Sequence, residues 1–197
     1  MTARTGMADL ILETRSLCEA GTADYSLGTV TYWTDNQLQD IADRHVTKYD
    51  DELMLMVPTR KSGGYAYTDY YIGKRWIEQE AGGTTLFKVM NSAGSAIGTA
   101  LYSVDYNQGK VTFATDQASV ITYTVTCAAY DLYAVAAEVW QKKAAHYASA
   151  YDFSTDNHSV KRSQLTVQAR TQANYYLGLS NNGASNIPLE RADDPDW

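Results

Sequence analysis

The sequence predicts an α+β protein: a helical bundle around a long central helix at about residues 128–150, with an inserted antiparallel β domain at about residues 53–126 and an extended C-terminal arm. The stretch 127–150, CAAYDLYAVAAEVWQKKAAHYASA, has no Gly or Pro and is rich in Ala, the strongest helix former. Between residues 53 and 126 the hydrophobic period changes from 3.6 to 2, and the helical period resumes afterwards. These two observations predict the fold class.

The central helix is expected to be buried on several sides, because it is apolar over most of its circumference. Its apolar side chains recur at steps of three and four residues, and we expect Leu132 and Trp140 to be buried. Two shorter helices are predicted before the β region, at residues 8–20 and 35–49. Thr34 and Asp35 are typical residues of a helix start, and the expected packing face of that helix comprises Leu38, Ile41, Ala42, His45 and Tyr49.

The predicted β domain consists of short alternating runs separated by glycine pairs at 63–64 and 82–83. The runs are LMLMVP, YAYTDYYIG, KRWIEQEAG, LFKVMNS and SVITYTVT. Residues 101–106 and 110–113 are expected to form a hairpin whose turn places Gly109 in the left-handed conformation. Residues 22–30 are predicted to be a loop.

A last helix is predicted at residues 160–178, and the chain then changes character. Residues 181–197 contain two prolines, few apolar residues and several acids, so the segment cannot build a core of its own. The predicted domains are therefore residues 1–52 with 127–180 (helical bundle), 53–126 (β domain) and 181–197 (C-terminal tail).

Composition excludes several functions. A net charge of −7 argues against sequence-independent wrapping of nucleic acid, which requires a dense cationic surface. No apolar run reaches the roughly 20 residues that span a bilayer, and the first residues lack a signal-peptide pattern. We therefore expect no membrane association and no export. Two cysteines far apart in sequence, Cys18 and Cys127, are expected to be buried free thiols.

No sequence motif indicates catalysis. Phosphate-binding G-x-x-x-x-G-K, G-x-S-x-G, H-E-x-x-H and C-x-x-C patterns are absent from the chain. His45 is interpreted as a histidine at the edge of the core with a hydrogen-bond partner. Asp152, Asp156 and His158 are interpreted as turn and cap residues in preference to a metal site. The sequence thus predicts no enzyme, no cofactor and no metal, with a hidden enzyme as a minor alternative.

Four runs occur in an order that resembles a known family. They are YWTDNQLQDIADRH, SVDYNQGKVTF, AAYDLYAVAAEVW and DFSTDNHSVKRSQ, spread over residues 31–176. Together they resemble the head–tail connector (adaptor) proteins of tailed bacteriophages. The first 30 residues and the acidic tail are not covered by the resemblance.

The resemblance implies a non-enzymatic virion protein that is made in the bacterial host cytoplasm and assembles at the neck. Such adaptors form a homo-oligomeric ring, commonly of twelve copies, under the portal protein and link the capsid to the tail. A loop or β part meets the next neck or tail protein, a stopper or tail terminator. Genomic DNA passes through the lumen without specific binding, because a negatively charged wall does not attract the DNA phosphates.

The tail is the predicted portal anchor. We expect its apolar residues to enter a portal crevice while its carboxylates meet basic residues at the rim. The residues concerned are Ile187, Pro188, Leu189 and Trp197, with Glu190, Asp193, Asp194 and Asp196. The alternative portal-binding surface is the last helix, around Lys161, Arg162 and Arg170.

A different class of function stays open. The excess of tyrosine, 16 residues, is compatible with a binding module whose Tyr-rich β insert recognises a peptide or a saccharide. Such a module would not need to form a ring. A tail-terminator or head-closure protein is a further structural alternative, which the long central helix disfavours.

Overall fold

A computed structural model of the 197-residue chain describes residues 3–22, 24–80, 86–117, 121–148, 153–155, 158–160 and 163–180. The helices are α1 (Ala8–Cys18), α2 (Asp35–Ala42), α3 (Leu132–Ala148) and α4 (Ser163–Leu179). Short 3₁₀ turns occupy Thr5–Met7, Asp43–His45 and Thr99–Leu101. The two longest helices lie in the C-terminal part of the chain.

The strands form antiparallel sheets of different sizes. They are β1 (Tyr25–Leu27), β2 (Val30–Tyr32), β3 (Val46–Leu53), β4 (Leu55–Lys61), β5 (Gly64–Tyr71), β6 (Lys88–Asn91), β7 (Tyr102–Asp105), β8 (Lys110–Phe113), β9 (Tyr123–Tyr130), β10 (Phe153–Thr155) and β11 (His158–Val160). One sheet has the order β3-β9-β6 and another β4-β5-β8-β7, while β1-β2 and β10-β11 are two-stranded.

Strand β9 connects the two main hydrophobic cores. Its residues Ala128 and Tyr130 belong to a core formed mainly by α1, α2 and α3. Val125 and Cys127, which point to the opposite face of the strand, belong to a core formed by the sheets. A third, smaller core lies between α3 and α4, where Trp140 and Ala144 pack with Ala169 and Ala173.

The predicted helical bundle around a long central helix is wrong. The protein is a mixed α/β structure, and residues 127–130 belong to strand β9, so α3 begins only at Leu132. All four residues from Cys127 to Tyr130 are buried. A strand that is buried on both faces reads as a continuous apolar run, which is why this stretch was assigned to the helix that follows.

Further boundaries differ from the prediction. Helix α2 ends at Ala42 rather than at residue 49, because the chain from Val46 pairs with β9. Residues 25–32 form the β1–β2 hairpin where a loop was expected, so strands are not confined to residues 53–126. The run KRWIEQEAG is not a strand; within its described part a single bridge pairs Ile77 with Ala129. The domain boundaries stay predictions.

Local signals that need no tertiary context are confirmed. Thr34 caps α2 in a reciprocal capping box with Gln37. The β7–β8 hairpin forms as predicted, and Gly109 has a φ of 66°.

Cys18 and Cys127 are buried free thiols, as predicted. Burial raises the pKa of Cys18 to about 12 and that of Cys127 to about 11.

Side chains of α3 cap the C-terminal end of α1. Trp140 Nε1 donates a hydrogen bond to the carbonyl oxygen of Leu17 at 3.2 Å. Lys143 Nζ donates to the carbonyl oxygens of Cys18 and Glu19, at 2.8 and 3.0 Å. A cation here also complements the negative end of the α1 dipole. Lys143 is consequently buried, with 3% exposure, although the sequence places it on the polar side of the helix.

We predict that Trp140→Ala costs about 3–5 kcal/mol of unfolding free energy, because it leaves a cavity against α4 and removes the hydrogen bond to α1. Urea denaturation measures this loss. Tyr175→Ala is the control, since Tyr175 lies on α4 with 59% exposure and should change the free energy much less. A loss below about 1 kcal/mol for Trp140→Ala would show that α3 is peripheral.

Candidate partner-binding cleft

A cavity of about 570 Å³ opens where β9 ends and α3 begins. Its walls come from the 3₁₀ turn after α2, the start of β3, the segment between β5 and β6, the β9–α3 junction and the end of α4. We call it the cleft; its lining comprises Arg44, His45, Val46, Thr47, Tyr49, Gly73, Lys74, Arg75, Trp76, Ala129, Tyr130, Asp131, Tyr133 and Leu179.

One wall of the cleft has unusual backbone conformations. Trp76 has a φ of 54°, which is rare for a bulky side chain, and Gly73 has a φ of 72°. Hydrogen bonds hold Trp76 from two sides: its N–H donates to the carbonyl oxygen of Asn107 at 3.3 Å, and its carbonyl oxygen accepts from Tyr130 at 3.0 Å. Its ring packs edge-on against Tyr133 at 4.8 Å between centroids. A left-handed conformation in a non-glycine residue persists only where its surroundings fix it.

The turn of the β7–β8 hairpin supports this wall. The N–H of Ile72 donates to the carbonyl oxygen of Gly109 at 2.8 Å. A Cβ at position 109 would overlap the carbonyl oxygen of Lys74. Glycine is therefore required at position 109 for two reasons: the positive φ and the close approach of the cleft wall.

We predict that Gly109→Ala destabilises the protein by about 2 kcal/mol or more, because the wall carrying Lys74 must move and the positive φ becomes strained. Gly63→Ala is the matched control. Gly63 also has a positive φ (94°), but nothing lies within 4 Å of its Cβ position. Equal losses of unfolding free energy for both variants, measured by urea denaturation, would show that the close approach of the Lys74 carbonyl oxygen does not contribute to the effect.

The cleft gathers positive charge in an acidic protein. Arg75 is exposed, its guanidinium lies 4.9 Å from the centre of the Trp76 ring, and it has no ion pair among the described residues. Lys74 Nζ lies 4.5 Å from the Tyr49 ring centre and 3.7 Å from Glu52 Oε1, a loose pair. Attraction between a cation and an aromatic face holds both positive charges beside apolar rings of the cleft.

Glu138 lies outside the lining of the cleft and holds two of its residues, Arg44 and His45. Its carboxylate pairs with Arg44, with Lys142 at 3.0 Å and with His45 Nε2 at 3.0 Å. This partner confirms the interpretation of His45 as a histidine at the edge of the core. Desolvation raises the pKa of Glu138, but hydrogen bonds from Arg44, Lys142 and His45 outweigh it and lower the pKa to about 2.

A lowered carboxylate pKa predicts acid sensitivity. The contribution of Glu138 to stability should be complete above its ordinary pKa of 4.5 and should be lost as the pH falls towards 2. We therefore expect the difference in unfolding free energy between wild type and Glu138→Gln to shrink over that interval. Urea titrations at a series of pH values measure it, and a difference that stays constant down to pH 2 would contradict the assignment.

Asp131 connects the cleft to the end of α4. Its Oδ1 accepts hydrogen bonds from the N–H groups of Tyr133 and Ala134, both at 3.1 Å, and so caps α3. Its Oδ2 accepts from Ser180 Oγ at 2.6 Å. Ser180 is buried and is the last described residue of the chain. The described structure therefore ends at Ser180, next to Leu179, which lines the cleft.

A second, shallower groove adjoins the cleft. Its volume is about 550 Å³, and its lining is shared between α3, with Ala137 and Gln141, and α4, with Leu177. His45 lines both cavities. The cationic cleft and this more apolar groove therefore form a continuous surface across the start of α3.

A buried charged cluster shares one residue, Tyr130, with the lining of the cleft. Glu78, 2% exposed, accepts hydrogen bonds from Arg4 Nε at 2.9 Å and from Tyr130 OH at 2.5 Å. Arg4 also donates to both carboxylate oxygens of Asp43, at 2.8 and 2.6 Å. The hydrogen bonds to Asp43 and Glu78 raise the pKa of Arg4, and burial together with Glu78 raises that of Tyr130. These groups satisfy one another and fasten the N-terminal segment to β9.

Most residues predicted to bind the portal lie outside the described part of the chain. These are Ile187, Pro188, Leu189, Glu190, Asp193, Asp194, Asp196, Trp197, Lys161 and Arg162. Arg170 is described and is exposed on α4. Asp152 and Asp156 also fall outside the described residues. No cluster of three or more metal-ligating side chains occurs among the residues that the structure describes.

Sequence reasoning missed the cleft residues. Lys74, Arg75 and Trp76 were assigned to a strand, and Asp131 was counted among the polar residues of the central helix. A signal for Asp131 exists, since an aspartate directly before an apolar helical run is a typical N-cap. No local signal marks the segment from Gly73 to Trp76, because hydrogen bonds to distant strands fix its conformation.

Comparisons with known proteins give no relatives. Neither protein-family models, curated proteins nor solved structures match this chain. Within the described residues, no helix combines the length and the apolar character needed to cross a membrane.

Proposed function

We propose that this protein is a structural subunit of the neck of a tailed bacteriophage, a head–tail connector that forms a ring under the portal. The observation that carries the proposal is the presence of exposed apolar side chains on two separate elements. The sequence runs that resemble connectors support the same reading. The ring, the portal contact and the DNA passage are parts of this proposal.

The first surface, the α4 surface, consists of Leu165, Val167, Tyr175, Leu177 and Leu179, all at least 42% exposed. Helix α4 packs on α3 through the small residues Ala169 and Ala173, so its larger apolar residues are left outside the core. These exposed apolar side chains make α4 a candidate interaction element.

The second surface, the β surface, lies where β3 passes into β4. Leu53 and Leu55 are 62% and 69% exposed, and Val57 is 38% exposed. Both strands are edges of their sheets. Pro58 and the register shift beside it disrupt the outer edge of β4, which hinders strand-to-strand aggregation.

Two different apolar surfaces fit a closed ring. A cyclic ring requires a heterologous interface, in which one patch of a subunit contacts a different patch of its neighbour. We propose that the α4 surface of one subunit packs on the β surface of the next. Many copies of a modest interface stabilise the ring through avidity.

The remaining features have a place in the same proposal. The exposed turn of the β4–β5 hairpin, residues 61–64, contacts the next neck or tail protein in this proposal. The acidic C-terminal tail is offered to the portal. With a net charge of −7, a ring of such subunits does not attract DNA phosphates, and the genome passes through it unhindered.

Three glutamate substitutions with matched exposure test the ring. Val167→Glu on the α4 surface and Leu55→Glu on the β surface should each weaken assembly at least about tenfold, because a charge at an interface centre removes about 2 kcal/mol or more. Leu12→Glu is the control, since Leu12 is 68% exposed on α1, outside both surfaces. The readouts are native mass spectrometry and negative-stain microscopy, with and without the portal protein of the same phage.

The outcome discriminates between function classes. Rings that are lost in both test variants and kept in the control support the connector. A wild-type chain that stays monomeric alone and with the portal, and that does not co-sediment with it, would contradict the proposal. Circular dichroism confirms that each variant is folded.

A peptide-binding module is the second candidate function, and the cationic, aromatic cleft favours it. The tyrosines of the sheets are less suited to be a platform, because Tyr70 and Tyr123 pack edge-on inside the core with Phe113 close by. Burial raises the pKa of both hydroxyls. A monomer that binds an acidic peptide with micromolar affinity, and that loses this binding on Arg75→Gln, would favour this candidate.

A further inference from the structure

We propose that the acidic C-terminal segment, residues 181–197, docks in the cleft of its own chain before the subunit assembles. This inference does not rest on the connector function. It concerns what occupies the cleft, and it follows from the exit point of the chain, the charges that meet there and the length of the segment.

The exit point places the segment at the cleft. Leu179 lines the cleft, and Ser180 is held against the N-cap residue of α3 by its hydrogen bond to Asp131 at 2.6 Å. The N–H of Ser180 also donates to the carbonyl oxygen of Tyr176 at 3.0 Å, which continues the helical pattern to the end of α4. Residue 181 therefore starts from a fixed position beside the cleft.

The charges of the cleft and the segment are complementary. Residues 181–197 contain four acids, Glu190, Asp193, Asp194 and Asp196, against one arginine. Lys74 and Arg75 supply the cations of the cleft that Glu138 does not neutralise. Arg75 has no ion pair in the described structure, and Lys74 has only the loose contact with Glu52. A separate acidic partner has to be captured from solution, whereas the tethered segment starts beside the cleft.

The tether favours the same chain over a partner. Glu190 lies ten positions after Ser180, and ten steps of extended chain span up to roughly 33 Å, which gives ample reach into an adjoining cleft. A short flexible connection gives an effective concentration in the millimolar range. Weak ion pairs of the kind that exposed residues make are therefore sufficient for occupancy in cis.

The aromatic wall suits the apolar residues of the segment. Tyr49 and Tyr133 are half-buried and line the cleft beside Trp76. Ile187 and Leu189 lie just before the acids in sequence. The apolar residues can therefore contact the aromatic part of the wall while the acids contact its cations. Docking in the free subunit would also keep the segment from other partners until one of them competes for it.

Zero-length crosslinking of the full chain tests the proposal. A water-soluble carbodiimide joins a lysine amine to a carboxylate only when the two groups meet, and mass spectrometry identifies the joined residues. In the monomer fraction we expect Lys74 to be linked to the acids of the segment at least about fivefold more often than exposed Lys61 or Lys88, because tethering concentrates the acids at the cleft. The Lys74–Glu52 pair, at 3.7 Å, is the internal standard.

Two variants sharpen the test. Arg75→Gln should reduce the links between Lys74 and the segment severalfold while it preserves the Lys74–Glu52 link, because Arg75 holds the acids in place. Arg60→Gln is the matched control, since Arg60 is an exposed arginine on β4, outside the cleft. The triple variant Asp193→Asn, Asp194→Asn, Asp196→Asn leaves Glu190 as the one acidic side chain of the segment. Links between Lys74 and Glu190 should also become fewer, because the segment has lost most of its negative charge.

The proposal is overturned by either of two results. Segment links spread evenly over Lys61, Lys74 and Lys88 would show that the segment has no preferred site. Links to Lys74 found only in crosslinked dimers would show that it docks in a second copy. Loss of portal binding in the separate assembly experiment leaves this inference untouched, because the crosslinks are measured on the free subunit.

Discussion

The double burial of strand β9 is the constraint on which the rest of the structure depends. Its residues alternate between the helical core, which receives Ala128 and Tyr130, and the core of the sheets, which receives Val125 and Cys127. Strands β3 and β6 pair with it on either side. The backbone polar groups of a strand buried on both faces find hydrogen-bond partners only within the sheet. Because the side chains of this strand belong to both cores, the helical layer and the strand layer depend on each other. Small residues at 128 and 129 let both layers approach it closely.

This constraint also determines how much of the fold can be predicted from the sequence. Features fixed by a few neighbouring residues, such as the helix start at Thr34 and the hairpin turn at Gly109, were predicted and are confirmed. Residues 127–130 were assigned to a helix because burial on both faces erases the alternation that identifies a strand. The chain after Ala42 was assigned to α2 because its apolar spacing fits a helix, but pairing of Val46 and its successors with β9 prevails.

The cleft follows from the way β9 ends. The strand stops at Tyr130, Asp131 caps α3 in the next position, and the loop carrying Arg75 and Trp76 crosses here because its backbone bonds to β9 and to the β7–β8 turn. Each contribution comes from a different part of the chain, and of these contributions the N-cap at Asp131 alone has a local sequence signature. The site was therefore not predictable from the sequence, although the acidic segment that we propose as its occupant was recognised as a separate unit from composition alone.

The distribution of charge connects the cleft with assembly. A ring of acidic subunits suits the passage of DNA, but it also accumulates repulsion between neighbours that grows with every copy added. Residues 181–197 hold four of the 23 acidic residues of this chain, all within seven positions. An acidic arm placed beside Lys74 and Arg75 of its own chain is neutralised in the free subunit. When a basic partner surface takes over the arm, the cleft cations become available at the same time. In the proposed ring, release of the arm and exposure of a cationic, aromatic surface would be one event, so the free and the assembled subunit would differ in the surface they present.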